Sequence, residues 1–483
     1  MNLDIIIKNL KYTSITGRTD IEISDIVYDS RKVKKNSLFV CLKGYNSDGH
    51  DFASRASELG AVAIITEKNI NIPGITMIQV ENSRAALAHV SVNFFENPSK
   101  KLTTIAITGT KGKTTTSFMI KSILENTGAK VGVIGTLGMV LNNEIIPLPN
   151  TTPESYEIQK CLSEFVKNGC KYAVLEASSI GLLRNRLDGI NFDYGIFANI
   201  SNDHIGENEH KDYQEYLYSK SLLFKRCKVG FINTDDKYYK QIINNHTCEL
   251  LTFGINNVSD YNADNIKLIN NDSNIGVKFS ILGKINLQEL FISTPGKFNV
   301  YNSLAAISVC HHMGIEENDI VEGLKKVKVK GRFESIPTNR DFSLFIDYAH
   351  NALSMENILN TIKQYNPKRV VTLFGAGGNR PKIRRYEMGE TCGRLSDLSV
   401  ITSDNPRFEE PLDIIADIEI GIKKTSGKYI IIPDRKEAIK YCIENAQKGD
   451  IIILAGKGHE EYQEIKGVKY PFDERKIAEE FLK

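Results

Sequence analysis

The stretch TTIAITGTKGKTTTSFMIKSILENTG, Thr103 to Gly128, constrains the fold more than any other. An apolar, β-branched run breaks at Gly109, Gly112 and Lys113, then restarts with the spacing of one helix face. Strand, glycine-rich turn and helix in that order make a βα unit, the building block of a helix-covered parallel sheet. The glycines permit positive φ and close backbone approach. The helix beginning near Thr114 offers unpaired N–H groups and the positive end of its dipole to an anion. Lys113 adds a point charge for the β and γ phosphates of ATP, and the Thr114 hydroxyl is a ligand for Mg²⁺. The loop is shorter than the usual G-x-x-x-x-G-K-[ST], since Ile107 stands five residues before Gly112. Gly109, Thr110, Lys111, Gly112, Lys113, Thr114 and Thr115 are the candidate ATP-binding residues.

The same alternation continues along the chain. KVGVIGT, YAVLEAS, YGIFANIS and VGFINTD are buried-strand runs, and SYEIQKCLSEFVKNG (155–169) reads as a helix between two of them. Residues 260–295 read as extra strands. Near 327–336 the pattern restarts, with FSLFIDYAH, RVVTLFGAGG, LSVITSDNPR, KYIIIPD and DIIILAGKGHE each ending in a charged or glycine-bearing loop. Ligands of open α/β sheets bind at such strand ends. Upstream, SLFVCLKG (37–44) and AVAIIT (61–66) read as strands. SRAALAHVSVNFFENPS (83–99) reads as a helix with Ser83 as N-cap, ended by Pro98. The 483 residues suggest about three domains. Polar ENPSKK (96–101) and the restart at 331 place the boundaries at 1–99, 100–331 and 332–483.

A net charge of +2 argues against a global field for nucleic acid or an anionic membrane. The N-terminal MNLDIIIKNLKYTS predicts neither a signal peptide nor a membrane span. Eight scattered cysteines without a C-x-x-C pair argue against structural zinc and read as free thiols of a reducing cytoplasm.

G-T-K-G-K-T-T-T, N-T-T-P, E-A-S-S, N-x-S-x-D-H, D-N-P-R and G-K-G-H-E occur in that order. Together they resemble the Mur ligase family, the cytoplasmic enzymes that build the peptidoglycan stem peptide. The resemblance covers essentially the whole chain. It implies three domains: one for UDP, a central P-loop ATPase with a parallel sheet, and a Rossmann-like C-terminal domain that binds an amino acid. Within the family it points to the ligases that extend UDP-N-acetylmuramoyl-L-alanyl-D-glutamate by a third residue, with ATP and Mg²⁺. Such an enzyme is expected as a cytoplasmic monomer.

The resemblance also implies roles for single residues. YDSRKV and GYNSDGHDF resemble uridine-contacting stretches and implicate Tyr28, Ser30, Asn46 and Ser47. LPNTTPES and EASSIGLLRNRLDG resemble the grip on the muramoyl-dipeptide and implicate Asn150, Thr151, Thr152, Ser178, Arg184 and Arg186. Glu176, at the end of YAVLE, and His204, in the strand-end loop with Asp203, are implied as metal ligands alongside Thr114. Lys220, in EYLYSKSLLF, matches the family's carbamylated lysine, which would complete the metal set as an anion. Lys113, Glu176, His204 and Lys220 are the candidate catalytic residues. PGKFNVYNSLAA, KGRFE and IDYAHN supply Asn302, Arg332 and Asp347 as nucleotide contacts. Arg380, Asp404, Asn405, Pro406, Arg407, Gly456 and Glu460 match the amino-acid site. Arg380 and Arg407 read as paired forks for a carboxylate and Glu460 as the partner of an ammonium, which favours meso-diaminopimelate over lysine and leaves meso-lanthionine, with the same two ends, as an alternative.

Several positions depart from the family pattern. Lys111 replaces Asn, Ile180 replaces His, Arg184 replaces Gln, Asn379 replaces Asp, and Asn351-Ala352 follow His350 where Thr-Pro is commoner. Two readings compete with the ligase: a folylpolyglutamate-type or other paralogue, which the uridine-like D-S-R and the D-N-P-R oppose, and a P-loop ATPase without ligase activity. A non-catalytic nucleotide-binding subunit is opposed by the intact Lys113, Thr114, Glu176 and Lys220.

Overall fold

The structure is a computed structural model that describes the chain apart from residues 46, 143, 202–204, 207–208 and 272–273. The strands, in chain order, are β1 (Ser14–Thr16), β2 (Asp25–Val27), β3 (Ser37–Val40), β4 (Ala61–Thr66), β5 (Thr76–Gln79), β6 (Thr103–Thr108), β7 (Val131–Gly135), β8 (Gly138–Leu141), β9 (Glu144–Ile146), β10 (Tyr172–Glu176), β11 (Phe192–Phe197), β12 (Cys227–Asn233), β13 (Glu249–Gly254), β14 (Tyr261–Asn271), β15 (Asn274–Gly283), β16 (Leu287–Ile292), β17 (Glu334–Ile336), β18 (Ser343–Asp347), β19 (Arg369–Phe374), β20 (Leu398–Ile401), β21 (Tyr429–Ile431), β22 (Asp450–Ala455), β23 (Tyr462–Ile465) and β24 (Val468–Pro471). The chain divides into two compact units, Met1–Asn262 with Leu304–Ile320, and Ala263–Ser303 with Val321–Lys483.

The first unit holds two sheets. The N-terminal one runs β1-β5-β4-β3-β2, parallel except for β1. The other runs β13-β12-β11-β6-β10-β7-β8-β9, parallel as far as β7. β6 lies between β10 and β11, and its residues 104–108 are buried. Burial of successive residues, which point to opposite faces, explains why its sequence is an unbroken apolar run rather than an alternating one. The phosphate-loop candidate therefore leaves the centre of the sheet. In the second unit the expected extra strands at 260–295 form, with β15 and β16 antiparallel. A further sheet runs β17-β18-β22-β19-β20-β21, parallel but for the edge strand β17, with a separate β23–β24 hairpin.

The helix read at 83–99 is Ser83–Phe94, and its N-cap is Asn82 rather than Ser83. The Asn82 carboxamide accepts from the N–H groups of Arg84 and Ala85, while the Ser83 N–H donates to the Glu67 side chain at 2.8 Å. The helix ends before Pro98 because Glu96 and Asn97 turn into the left-handed region.

Candidate active site

The helix after β6 is Lys113–Asn126, one residue earlier than the sequence reading. Gly112 stands at its N-cap with φ +86°, a conformation that side chains resist, and no side chain caps the helix. The positive end of the helix dipole therefore stands at the end of the loop, the kind of helix terminus that binds anions. The loop before it is braced from β11's end. Asn199 accepts the Lys111 N–H on Oδ1 at 2.9 Å and returns its Nδ2 to the Lys111 carbonyl at 3.0 Å. Thr110 is buried; its hydroxyl accepts the Ser201 N–H at 3.0 Å and meets the Tyr216 hydroxyl at 2.7 Å. Lys113 folds back on this loop and donates to the carbonyls of Gly109 (2.7 Å) and Thr110 (3.2 Å). The Lys111 side chain is exposed, so the substitution for Asn leaves the bracing intact, which runs through its backbone.

Glu176 ends β10 and is 2% exposed. Its carboxylate accepts from the Thr114 hydroxyl at 3.1 Å, the Thr136 N–H at 3.1 Å and the Thr136 hydroxyl at 2.9 Å. Gly135 makes room for it: a Cβ there would stand 2.2 Å from Oε1. The sequence thus brings the helix's first threonine and the next strand's acid onto one spot, because β6 and β10 are parallel neighbours with Glu176 in register with Ile107.

The residues matched to the muramoyl-dipeptide gather around the same strand end. The Thr152 hydroxyl donates to the Glu176 carbonyl at 2.7 Å and accepts the Ser178 N–H at 2.9 Å. Thr151 meets Thr136 at 3.1 Å. Ser178 caps the short helix Ser179–Leu183. Arg186 donates to the Thr152 carbonyl at 3.0 Å and to Glu154, which also pairs with Arg84. Asn150 is exposed at the loop's edge. Of the uridine candidates, Tyr28 donates to Glu157 at 2.7 Å, Ser30 is half-buried and Ser47 is exposed; Asn46 lies outside the described residues. Arg184, the departure from Gln, lays its guanidinium 4.1 Å from the Tyr45 ring centroid. Stacking needs no acceptor on the side chain, which accounts for arginine where an amide is commoner. For Ile180 no such account exists.

Lys220 lies in the helix Tyr213–Ser221 and is 1% exposed, its Nζ 4.6 Å from the Tyr216 ring centroid. The same tyrosine touches the phosphate loop at Thr110, so the lysine and the loop share a wall. His204 and Asp203 lie outside the described residues. Among the described ones no group of three His, Cys, Asp or Glu side chains forms a metal cage. The paired oxygens of Thr114 and Glu176 nonetheless fit Mg²⁺, which takes hard oxygen ligands, keeps waters and shares phosphate oxygens rather than filling an all-protein cage.

In the second unit Asn302 is buried and donates to Asn299 at 2.8 Å. Asp347, at the end of β18, accepts the Phe333 and Ala349 N–H groups, each at 2.8 Å. Burial pushes its carboxyl up and the nearby Arg332 guanidinium opposes the shift. Arg332 also stacks 5.3 Å from the Tyr348 ring centroid. Asn351 caps the helix Ala352–Lys363, accepting from the Ser354 N–H at 2.9 Å, a role open to Asn as to Thr.

The strand-end loops after β19, β20 and β22 come together. The Gly378 N–H donates to the Asn405 carbonyl at 2.9 Å, and a Cβ on Gly378 would strike the Pro406 carbonyl. Asn405 donates to Glu460 at 2.8 Å. Gly456 is buried, with the Asp404 carboxylate over its Cα. Burial is the main cause that pushes Glu460 up, with Asp404 adding to it. The two arginines have different settings. Arg407, at φ +53°, donates to the Gly378 carbonyl at 2.7 Å and pairs with Glu464 at 3.2 Å, whereas Arg380 is exposed. The pair of forks read from the sequence thus stands in two settings, Arg407 held beside the Glu464 carboxylate and Arg380 exposed. Asn379 stands at φ +55° and accepts the Phe408 N–H at 3.2 Å, a left-handed position Asn tolerates. Sequence reasoning missed Asn199, Thr136, Glu154 and Lys457. Asn199 and Lys457 sit inside recognised runs, but only the fold reveals what they touch.

An α/β chain with a braced, glycine-rich strand–turn–helix loop, an acid beside it and polar loops gathered at a second set of strand ends has the layout of an ATP-dependent ligase. Three family models cover it in sequence: the Mur ligase family catalytic domain at residues 22–106, the Mur ligase middle domain at 107–310, and the Mur ligase glutamate ligase domain at 331–458. The chain belongs to the Mur ligase family. It is 45% identical, over 100% of its length and 99% of the relative's, to the UDP-N-acetylmuramoyl-L-alanyl-D-glutamate--2,6-diaminopimelate ligase of Caldanaerobacter subterraneus subsp. tengcongensis. A solved structure of a ligase with that name matches with a TM-score of 0.71 and 29% identity over 100% of this chain and 98% of that one. The MurF ligase of Thermotoga maritima in complex with ADP shares the fold, with a TM-score of 0.59 at 19% identity, over 95% of this chain and 96% of that one.

Proposed function

We propose that this chain is an ATP-dependent ligase that adds meso-diaminopimelate to the D-Glu side-chain carboxylate of UDP-N-acetylmuramoyl-L-alanyl-D-glutamate. What carries the reading is the full-length likeness to a relative bearing that name, at 45% identity. The joining of Thr114 and Glu176 beside a glycine-capped helix N-terminus supports it.

ATP lies with its phosphates at the Gly109–Thr115 loop, and Lys113 exchanges its loop carbonyls for phosphate oxygens. Asn302, Arg332 and Asp347 complete the nucleotide contacts. Tyr28, Ser30, Asn46 and Ser47 hold the uridine. Asn150, Thr151, Thr152, Ser178, Arg184 and Arg186 hold the muramoyl-dipeptide. The D-Glu carboxylate oxygen attacks the γ-phosphorus, the bond to the β-phosphate oxygen breaks, and ADP leaves. The amine nitrogen of the incoming amino acid then attacks the acyl carbon, loses a proton, and expels phosphate. Lys113 neutralises charge that builds on the transferring group. Thr114 and Glu176, with His204 and a carbamylated Lys220, would hold Mg²⁺, which when bound supplies further neutralisation of phosphoryl charge. Asp404, Asn405, Pro406, Arg407, Gly456, Glu460 and Arg380 form the amino-acid site. Glu460 takes the distal ammonium, and the arginines take the distal carboxylate that lysine lacks. The three functional parts are 1–99, 100–331 and 332–483. Among the described residues no helix is long and apolar enough to cross a membrane. The proposed enzyme acts in the cytoplasm as a monomer.

The test is ADP release measured with and without UDP-muramoyl-dipeptide, and with meso-diaminopimelate or L-lysine. Release that needs both the dipeptide and diaminopimelate, with lysine poorer by up to about 10⁴-fold, is expected. Release without any amino acid points to a simple ATPase, and equal use of lysine removes the distal-carboxylate argument.

A further inference from the structure

We infer that Lys457 is the positioning residue of the amino-acid site: its buried ammonium orients the Asn405 amide and offsets Asp404, so that Glu460 stands as an ionised, aimed carboxylate for the substrate's distal ammonium. The inference rests on the assignment of Asp404, Asn405 and Glu460 to that site.

Lys457 lies just past β22 and is 0% exposed. A wholly buried ammonium is costly unless every proton finds a partner. Here Nζ donates to Asn405 Oδ1 at 3.0 Å and to the Tyr462 carbonyl at 2.7 Å, and stands 3.2 Å from Asp404 Oδ1 and 3.7 Å from Glu460 Oε2. Asn405 Oδ1 also accepts the Glu464 N–H at 2.9 Å. Two donors on one end of the amide fix that end as oxygen, because an ammonium only donates. The Nδ2 end must then face Glu460, and it donates to Oε2 at 2.8 Å. Flipping the amide would set NH₂ against the ammonium and oxygen against a carboxylate. Lys457 therefore decides which way Asn405 points, and Asn405 decides how Glu460 is held.

The ammonium also acts through charge. The groups facing Glu460 are Asp404, Lys457, Arg407 and Tyr348. Asp404 repels the ionised form, while Lys457 and Arg407 favour it. Arg407 is shared with Glu464. Without Lys457 two carboxylates in a partly buried pocket face each other, and one holds its proton.

The experiment uses the full-length enzyme and follows kcat/KM for meso-diaminopimelate against pH, where the acid limb reports the free enzyme's essential carboxylate. Lys457→Met keeps length and removes charge. It is expected to raise the diaminopimelate KM by about tenfold or more, leave the ATP KM unchanged, and move the acid limb to higher pH. Asp404→Asn in an otherwise wild-type chain is expected to move the same limb to lower pH, whatever it does to KM. A purely structural lysine would not give shifts of opposite sign. A folded Lys457→Met enzyme with an unmoved limb overturns the inference. Should Lys457→Met not fold, the Asp404→Asn profile decides, and a limb that stays or rises overturns it. Failure of the underlying assignment looks different, since wild-type enzyme would then release no ADP in response to diaminopimelate.

Discussion

Lys113 is held by the carbonyls of its own loop, an arrangement that keeps an ammonium satisfied at a site otherwise rich in N–H donors. Phosphate oxygens are stronger partners for it than neutral carbonyls. Lys113→Ala should therefore lose at least about 10²-fold in ligation rate with the thermal unfolding curve little changed, since the side chain is no part of a core. Near-wild-type turnover in a folded variant would remove the phosphate-loop assignment. Lys220 poses a different problem, because a buried side chain against Tyr216, whose hydroxyl touches the loop, gains little as a plain cation beside the proposed Mg²⁺ site. As a carbamate it becomes an oxygen ligand. Lys220→Ala is expected to lose most activity and to regain part of it with a short carboxylic acid. A bare ammonium in the density of an active, nucleotide-bound enzyme would defeat the carbamate.

Strand ends do the assembling at the scale of elements. β6, β10 and β11 deliver the phosphate loop, Glu176 and Asn199 to one edge because they are parallel neighbours. In the second unit a pair with no direct chemical part holds the corresponding edge. Arg435, at the start of the helix Arg435–Glu444, donates to the Ser403 carbonyl at 3.2 Å and the Ala455 carbonyl at 2.7 Å, the residues just before Asp404 and Gly456. Its remaining edge pairs with Glu474 of the terminal helix at 2.8 Å, and both side chains are 0% exposed. Removing one member of a buried pair strands the other. Glu474→Ala should cost about 3–5 kcal/mol in urea unfolding. A loss under about 1 kcal/mol would mean that water reaches the pair.

At the scale of the whole molecule, stability toward acid carries the mark of one loop. Burial, with Arg332, Lys330 and Arg475 nearby, pulls His459 down to about 4 from its ordinary 6.5. The unfolded chain therefore binds a proton first as pH falls, and stability rises with pH across that window. This contribution is complete above pH 6.5 and lost as the pH drops toward 4. His350 is lowered by burial too, so its contribution has the same sign. His459→Gln should lose less stability than wild type between near pH 7 and near pH 5 in urea unfolding. Parallel losses would show that His459 does not carry the acid response.

The sequence by itself determined the α/β class, the βα unit at Thr103–Asn126, the strand runs and the family, because each is written in contiguous residues whose spacing has a local physical cause. It misplaced one helix cap by a residue, since Asn82 and Ser83 are both good caps and only Glu67 decides which one faces the helix. The three-dimensional fold alone decided what the site residues touch. Glu176 meets Thr114 and Thr136, Arg184 lies on Tyr45, Arg407 is held by Glu464, and Lys457 lies among Asp404, Asn405 and Glu460. Those contacts join segments far apart in the chain. No periodicity records them, and they arise only when parallel strands stack their carboxyl ends on one edge and bury the charges between the loops.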